Sequence, residues 1–444
     1  MSAIARRAGD GPVPLTPAQA RIWRLEQAGF DGSTHLITTS RRLTGPLDPQ
    51  AMARALTTVI GRHEALHTAI LGRQDRPIQT IQQPDLAAAL EQTDFTHLSA
   101  QQRETAARQW TDELLKRPFR LDRPPALRIG LARLGEHDHL MLFCVHHIIC
   151  DAASLAILRD ELFTLYRSQL DGIEPAPPPP TAQFLDYAAW LAGRDHEDRD
   201  EDREYWRHHL LGAPPVVTLP PDHPRPTRAG TRGGRVTLVL PPGFGDAVAQ
   251  SARRQRCTSF ILVQAALAVV LARRSGQSNV VIGTPVDNRD RPELERAVGM
   301  FVNMLALRTD LSGDPTLSEV LTRVRSTTIG GLAHRHLPFD EVVEILGVPC
   351  DAGHHPVFQV QLVTDPARPD RQVPDGLRIA PGYKPTPDAR FDLTVLYDSG
   401  TPKVYADYNV DLYDASTVED LLHHMAAVMT AFTETVELRV SQLP

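Results

Sequence analysis

Two adjacent histidines, His146 and His147, are the residues of this chain whose type and spacing most directly suggest chemistry. They stand in the stretch CVHHIICDAAS (144–154), at the end of an apolar run, and Asp151 follows the second histidine by four residues. An imidazole with a pKa of about 6.5 can accept a proton at neutral pH. Because neighbouring residues that leave a strand point to opposite sides, we expect the two histidines to have different roles.

Three kinds of site fit a histidine pair followed by an aspartate. A zinc site needs three or four ligands, and His147 with Asp151 offers two at most, so a metal site is not favoured. A catalytic base aided by the N–H groups of a following helix, and a pair of purely structural histidines, both stay open. Asp151 could cap that helix, orient an imidazole or pair with an arginine. The chain has no GxSxG stretch and no cysteine in a nucleophile signature, which disfavours a covalent serine or cysteine enzyme.

The elements that must position these residues follow from the hydrophobic pattern around them. LMLFCV (140–145) is a continuous apolar run typical of a buried strand, and SLAILRDELFTLYRSQL (154–170) has leucines on one helical stripe. The histidines are therefore expected between a strand and a helix N-terminus, with Asp151 or Ser154 as the N-cap. Similar patterns predict helices at 52–66 and 259–274 and strands at 126–134 and 279–286.

Length and composition indicate a large folded protein. The chain has 444 residues, more than one hydrophobic core usually serves, so we expect two domains or two halves. A proline-rich connector at 175–181 predicts a boundary between segments 1–174 and 182–444. Hydrophobic residues make up 42% and charged residues 23% of the chain, without the signature of disorder. The net charge of -7 gives no general affinity for nucleic acid or anionic membranes.

The cysteines and the apolar stretches bear on the compartment. The N-terminus has arginines but no apolar segment behind them, so it does not resemble a signal peptide. The longest apolar stretch, 260–272, is shorter than the about 20 residues that a membrane span needs. We therefore expect a soluble protein. The four cysteines, Cys144, Cys150, Cys257 and Cys350, include no CxxC pair, which argues against a disulfide framework or a zinc knuckle and favours the reducing cytoplasm.

Several stretches, in order, resemble the motif set of the condensation domains of nonribosomal peptide synthetases. HHIICDAAS (146–154) resembles the HHxxxDG motif of the active site in that family. The other similar stretches are LTPAQARIWRLEQ (15–27), RHEALHTAI (62–70), FLDYAAW (184–190), VGMFVNMLALR (298–308), HRHLPFDEVV (334–343) and HHPVFQVQLV (354–363). The resemblance spans roughly residues 13–440, and an ordered set of motifs is far more specific than any one of them.

This resemblance implies an α/β (α+β) fold of two chloramphenicol-acetyltransferase-like subdomains, arranged as a V with a central tunnel. It also implies a condensation enzyme. Donor and acceptor carrier proteins would present their substrates on phosphopantetheine arms, and the acceptor amine would attack the donor thioester to form an amide. The resemblance implies neither a metal nor a tightly bound cofactor, and we expect a monomer.

The resemblance assigns roles to the residues of the histidine motif. It implies that His147 is the base or orienting group beside the attacking amine and that His146 supports the loop. Asp151 corresponds to a structural aspartate that pairs with an arginine, for which Arg289 is the expected partner. The glycine of the motif is replaced by Ala152, and if that position needs a positive φ, alanine is strained there by roughly 1 kcal/mol or more.

Three further residues are candidates for contacts with the tunnel or the substrate. They are Ser154, Asn303 in VGMFVNMLALR and Gln359 in HHPVFQVQLV. For Asn303, a hydrogen bond inside a strand or loop is an equal alternative.

Several rival functions stay open beside amide formation. They are an ester-forming enzyme with a hydroxyl acceptor, a starter-type domain that N-acylates the first amino acid, an epimerisation domain, and an inactive module that recruits partner enzymes. VGMFVNML is more similar to condensing members than to epimerisation domains, and the intact His146 and His147 argue against an inactive module. The chain is expected to be either a free-standing enzyme or a segment of a larger synthetase.

Overall fold

The computed structural model describes most of the chain. The described residues are 4–9, 11–27, 35–72, 76–172, 178–193, 199–214, 216, 219–348, 353–365, 376–383, 388–401 and 403–443. They form two compact units that do not follow the chain order. The first unit comprises Met1–Asp195, Asp287–Val302 and Asp370–Pro385, and the second comprises His196–Val286, Asn303–Pro369 and Thr386–Pro444.

Both units mix strands and helices. The strands are β1 Val13–Pro14, β2 Leu36–Thr44, β3 Thr68–Leu71, β4 Ile78–Ile81, β5 Leu90–Asp94, β6 Leu127–Gly135, β7 Asp138–His146, β8 Gly233–Val239, β9 Asn279–Asp287, β10 Val302–Asp310, β11 Val360–Asp365, β12 Arg378–Pro381, β13 Leu393–Asp398 and β14 Lys403–Asn409. The helices are α1 Pro17–Gln27, α2 Pro49–Arg62, α3 Leu86–Ala89, α4 Ala100–Lys116, α5 Ala152–Asp171, α6 Phe184–Ala192, α7 Asp200–His209, α8 Phe244–Arg254, α9 Ser259–Ser275, α10 Leu317–Ala333, α11 Phe339–Leu346 and α12 Ala415–Glu434. The mixed α/β class predicted from the sequence is confirmed.

The first unit is built on a sheet with the strand order β12-β2-β7-β6-β5. β7 lies between two antiparallel neighbours, so that Leu36 of β2 pairs with His146, and Leu127 of β6 pairs with Val145. Because both edges and both faces of β7 are covered, its residues 139–146 are all buried, as a continuous apolar run requires. A smaller sheet has the order β1-β4-β3.

Helix α5 follows β7 and packs into the same core. Its N-cap is Asp151, whose side chain accepts the Ser154 N–H, and its C-cap is Gly172 at φ 64°. Glycine adopts this left-handed conformation without the steric cost of a Cβ atom. The leucine stripe predicted from the sequence is buried in the same core as β7, and it comprises Leu155, Leu158, Leu162 and Leu165.

The second unit has its own sheet, with the strand order β10-β9-β11-β13-β14-β8. β11 runs parallel to both β9 and β13, whereas β14 is antiparallel to β13 and β8. Helix α9 is buried from Ile261 to Ala272, next to α10 and α12, and this stretch is apolar except for Gln264. The helix predicted at 259–274 and the strand predicted at 279–286 are both confirmed.

The expected connector at 175–181 lies partly outside the described residues, which resume at Pro178. The carbonyl of Pro178 accepts a hydrogen bond from Arg62, and the carbonyl of Pro180 accepts one from Arg6. Helix α6, which follows this segment, belongs to the first unit. The boundary between 1–174 and 182–444 stays a prediction, but a single cut there does not separate the two compact units.

Among the described helices, none is by itself long and apolar enough to cross a membrane. Helices α8 and α9, which meet at a bend of 99°, reach the required length and composition only as a pair.

Candidate active site

The histidine pair lies where β7 ends and α5 begins. His146 is the last residue of β7, and His147 opens the short 3-10 turn His147–Ile149. The His146 N–H donates to the Ala126 carbonyl at 2.9 Å, and the His147 carbonyl accepts the Cys150 N–H at 3.3 Å. His146 is 2% exposed, whereas His147 is half-buried. The two histidines thus have different surroundings.

The imidazole of His146 bridges helix α1 and the backbone of the turn. Its Nδ1 accepts the Ile148 N–H at 3.2 Å, and its Nε2 lies 3.1 Å from Oε1 of Glu26. Because Nδ1 is an acceptor, the ring proton must sit on Nε2, from which it is donated to the carboxylate. Phe119 packs edge-on against the same ring, with centroids 6.2 Å apart. His146 is therefore held from several sides and supports the loop.

Glu26 is the carboxylate at the centre of this arrangement. Its Oε1 also lies 3.0 Å from Nδ1 of His35. Burial alone would raise the pKa of Glu26, but the hydrogen bonds with His146 and His35 outweigh burial and lower this pKa to about 2. Glu26 is therefore ionised at neutral pH.

Helix α1 contributes a second polar side chain to the turn. Nε2 of Gln19 donates to the Ile148 carbonyl at 3.0 Å and lies 3.2 Å from Oε1 of Gln79. Both glutamines are fully buried, and Nε2 of Gln79 donates to the Pro14 carbonyl at 3.0 Å. The peptide group that follows Ile148 is therefore fixed by a buried amide.

Asp151 is bound by Arg289 through two parallel hydrogen bonds. Nη1 of Arg289 lies 2.8 Å from Oδ2 of Asp151, and Nη2 lies 3.0 Å from Oδ1. The carboxylate also accepts the N–H of Ser154 at 2.7 Å and that of Phe301 at 3.0 Å. The side chains of Asp151 and Arg289 are 0% and 5% exposed. The structure thus pairs Asp151 with the arginine expected from the sequence and gives the aspartate a structural place.

Arg289 is surrounded by groups that favour its charge. It also bonds the Ala297 carbonyl at 3.1 Å and Asp287 at 2.9 Å, and its guanidinium lies 4.0 Å from the ring centroid of Phe301. Burial alone would lower the pKa of Arg289, but Asp151 and Asp287 outweigh burial and raise it. The segment 287–302 is thereby bound to the N-terminus of α5.

Ser154 belongs to the same network. Its hydroxyl donates to the Gly299 carbonyl at 2.8 Å, accepts the Gly299 N–H at 2.9 Å, and lies 2.5 Å from Nη2 of Arg289. The residue is 0% exposed. A substrate contact by Ser154 stays a prediction, and the contacts observed for its hydroxyl are structural.

Ala152 occupies the first position of α5 and is exposed. The described non-glycine residues with positive φ are Arg256, Asp314 and Val357, so Ala152 is not one of them. The strain considered for alanine therefore does not arise, because the first turn of a helix has the ordinary right-handed conformation.

Asn303 and Gln359 lie in the second unit, whereas the histidine motif and Arg289 lie in the first. Nδ2 of Asn303 donates to the carbonyls of Arg335 at 2.8 Å and Leu337 at 2.7 Å, and its Oδ1 accepts the Phe339 N–H at 3.1 Å. The side-chain amide of Asn303 thus makes hydrogen bonds within the fold, as in the alternative considered from the sequence, and holds the start of α11. Gln359 is fully buried, and its Nε2 donates to the His355 carbonyl at 2.9 Å. Substrate contacts by these two residues stay predictions.

Two residues that hold the site, Gln19 and Glu26, were missed by the sequence analysis. Their spacing carries a signal, because they flank the buried Ile22 and Trp23 on one face of α1. Polar residues on the apolar face of a helix commonly bond to a buried partner. The resulting site is the half-buried imidazole of His147, on a loop whose neighbouring residues are held by hydrogen bonds. An imidazole held in this way is suited to proton transfer or to orienting a nucleophile.

The chain is similar to known proteins over nearly its whole length. A family model described as Condensation domain matches residues 10–444. Malpinin synthetase of Mortierella alpina is 35% identical over 438 residues, which cover 97% of this chain and 6% of that protein. The chain therefore spans a small part of the length of this relative.

Two solved structures are similar over nearly the whole chain. The X-domain of teicoplanin biosynthesis, in its complex with OxyB, is 29% identical with a TM-score of 0.86 and covers 100% of this chain and 98% of its own. The first condensation domain of the calcium-dependent antibiotic synthetase, bound to a substrate analogue, is 22% identical with a TM-score of 0.82 and covers 98% and 99% of the two chains. The second likeness concerns the fold alone. Together the comparisons confirm the two-subdomain α/β fold that the motif resemblance implied.

Proposed function

This chain belongs to the condensation-domain family of nonribosomal peptide synthetases, and from this premise we propose that it forms an amide between two carrier-bound substrates. The donor is an acyl or aminoacyl thioester, and the acceptor is an amine. His147 is the base or orienting group beside that amine. The proposal rests on the family match over residues 10–444, in a chain whose HHxxxD loop is intact and held by hydrogen bonds.

In the proposed reaction the acceptor nitrogen attacks the thioester carbonyl carbon. The C–N bond forms, the C–S bond breaks, and the proton lost by the amine ends on the departing thiol. His147 accepts this proton from nitrogen and returns it to sulfur. A thioester is a reactive acyl donor, so holding the two substrates together supplies much of the acceleration, with effective molarities that reach about 10⁵ M. One half-buried base is then sufficient, without a nucleophilic residue.

The substrates arrive on partner proteins. We propose donor and acceptor carrier proteins that present their groups on 4'-phosphopantetheine, so that this prosthetic group is part of the substrate and not a resident cofactor. We assign the reaction to the cytoplasm. The Asp151–Arg289 pair supports this function by holding the start of α5 next to His147.

A second candidate function is a module that recruits a partner protein. The similarity to the X-domain in its complex with OxyB favours this candidate, because that likeness covers the whole chain at 29% identity. Such a module would need no base, and the loss of His147 would leave its binding unchanged.

The test is intact-protein mass spectrometry of acceptor carriers mixed with this protein and a panel of acyl-loaded donor carriers. Amine and hydroxyl acceptors are both offered, and fatty acyl donors are included. We expect a mass gain on an amine acceptor, and the His147→Ala variant is expected to lower its rate by about 100-fold or more. The matched control is His137→Ala, because His137 lies in the turn between β6 and β7 and its side chain is 62% exposed.

The outcomes separate the candidates. A gain on hydroxyl acceptors alone would replace amide formation by ester formation, and a gain only with fatty acyl donors would indicate a starter-type domain. An acceptor whose mass is constant but whose α-carbon is inverted would indicate epimerisation. If no pair reacts and a carrier or partner enzyme still binds equally to the wild type and to His147→Ala, the recruiting module is correct.

A further inference from the structure

We propose that helix α1 positions His147 through two polar side chains, Gln19 and Glu26, and that Glu26 is a positioning residue for the transfer reaction. The inference rests on the proposed function, because it concerns the base of that reaction. Gln19 and Glu26 are seven residues apart, about two helical turns, so they lie on the same face of α1. That face also carries the buried Ile22 and Trp23, which fix the helix against the core of the first unit.

The two side chains act on the backbone on either side of His147. Glu26 holds the ring of His146, and this ring accepts the Ile148 N–H, so the residue before His147 and the residue after it are joined through one imidazole. Gln19 holds the next carbonyl, that of Ile148. Both contacts come from the same helix. The backbone at His147 therefore cannot shift without breaking hydrogen bonds to α1.

The location of Glu26 does not by itself favour a carboxylate, so its hydrogen-bond partners must stabilise it. Glu26 lies in the last turn of α1, where the helix dipole disfavours a carboxylate. Its side chain is only 19% exposed. A charge in such a place is stabilised by its two imidazole partners, His146 and His35, which lie 3.1 Å and 3.0 Å from the same oxygen. The carboxylate fixes the tautomer of His146 that accepts the Ile148 N–H.

A positioning role predicts a loss of rate without a loss of binding. In Glu26→Ala the Nε2 proton of His146 loses its acceptor, so the ring and the Ile148 N–H are no longer held. We expect kcat to fall by about tenfold or more with KM unchanged, since a displacement of about 1 Å can cost 10²-fold. Glu26→Gln retains an oxygen acceptor in the same place, so it is expected to recover most of the lost rate. In the His147→Ala background, Glu26→Ala should lower the residual rate no further.

The matched control is Glu64→Gln. Glu64 is a half-buried glutamate of the same unit, 27% exposed, that pairs with Arg7 and is remote in sequence from the 146–148 turn. We expect its kcat to equal that of the wild type. A merely structural role of Glu26 would lower the rate equally in the His147→Ala background, and either that result or an unchanged kcat in Glu26→Ala would overturn the proposal.

A second measurement does not depend on activity. Hydrogen exchange followed by mass spectrometry on the peptide 144–151 reports the Ile148 N–H directly. In Glu26→Ala we expect exchange in this peptide to accelerate by about tenfold or more, while exchange in β6 stays as in the wild type. Unchanged exchange in 144–151 would overturn the positioning role. If no substrate pair reacts but exchange accelerates as expected, the proposed function fails, whereas the conclusion that α1 holds the turn by hydrogen bonds stands.

Discussion

Asp151 holds several buried groups of the site together. It accepts hydrogen bonds from both terminal nitrogens of Arg289 and from the N–H groups of Ser154 and Phe301. All these groups are buried or nearly so, and removing the carboxylate would deprive a buried guanidinium of the partner that binds both of its terminal nitrogens. Breaking a buried pair in this way costs far more than the pair contributes in net stability.

We therefore expect Asp151→Ala to lower the free energy of unfolding by about 3–5 kcal/mol. Urea unfolding of the full chain, followed by circular dichroism, measures this change. The matched control is Asp122→Ala, which breaks an exposed pair with Arg120 at 2.9 Å and is expected to have no measurable effect. If the two variants lost equal stability, the burial of the Asp151 pair would not be the cause.

Residue roles were predictable from the sequence only where a motif carried them. The HHxxxD motif pointed to His147 and Asp151, and the resemblance led us to expect Arg289 as the partner of Asp151; the structure brings Arg289 to Asp151, and the role of His147 stays a prediction. Glu26 was not identified. Its place on the apolar face of α1 indicates a buried partner, but no local pattern shows that this partner is His146, which is 120 residues away. The strain considered at Ala152 depended on a backbone angle, and spacing does not determine that angle.

At the scale of elements, β7 and α5 follow from hydrophobic periodicity, but the attachment of the segment 287–302 does not. This segment contacts the N-terminus of α5 through Arg289 and Gly299, and it also packs against α6. At Gly299 an added Cβ atom would lie 2.1 Å from Cδ2 of Phe184. Phe184 is 1% exposed and packs edge-on against Phe301 with ring centroids 5.1 Å apart, so its ring has little room to move.

Gly299→Ala is accordingly expected to destabilise the protein by about 1–3 kcal/mol, because overpacking forces the aromatic cluster or the segment to shift. Gly61→Ala is the matched control, since Gly61 lies in α2 and an added Cβ atom there would meet nothing within 4 Å. The better helix propensity of alanine should make that variant up to about 1 kcal/mol more stable. Thermal unfolding of the two variants should move in opposite directions. A shift of both in the same direction would contradict the packing argument.

At the scale of the whole molecule, each compact unit is made of chain segments that are not consecutive in the sequence. β12, from residues 378–381, completes the sheet of the first unit by pairing with β2, so that Arg378 lies opposite Thr44. The segment with Arg289 likewise returns to the first unit after the chain has entered the second. Hydrophobic patterns predict that a strand forms but do not specify which sheet it joins. The proline-rich stretch could therefore be recognised from the sequence, but the assignment of the later chain segments to the two units could not.

Two carboxylates of the first unit, Glu26 and Glu161, link its stability to acid. Glu161 on α5 is 3% exposed and lies 2.9 Å from Nε of Arg62, 3.0 Å from Nε2 of His63 and 3.1 Å from Nη2 of Arg296. Burial would raise the pKa of Glu161, but the hydrogen bonds with His63 and Arg62 outweigh it and lower this pKa from 4.5 to about 2. Glu26 has a pKa lowered to about 2 in the same way.

Because both carboxyl groups bind protons more weakly when folded than when unfolded, the stability that they contribute is complete above pH 4.5 and is lost as the pH falls toward 2. We expect urea midpoints to be level above pH 4.5 and to fall steeply below it. Glu161→Gln should be less stable than the wild type at neutral pH and should lose less further stability on acidification, because the variant has no proton to take up at this site. Glu104→Gln, at a half-exposed glutamate beside Arg42, is the matched control and should follow the wild-type acid profile. If the stability of Glu161→Gln fell with acid as steeply as that of the wild type, Glu161 would not link folding of the first unit to protonation. The buried ion cluster around Glu161 would then have to be stabilised by packing and not by charge.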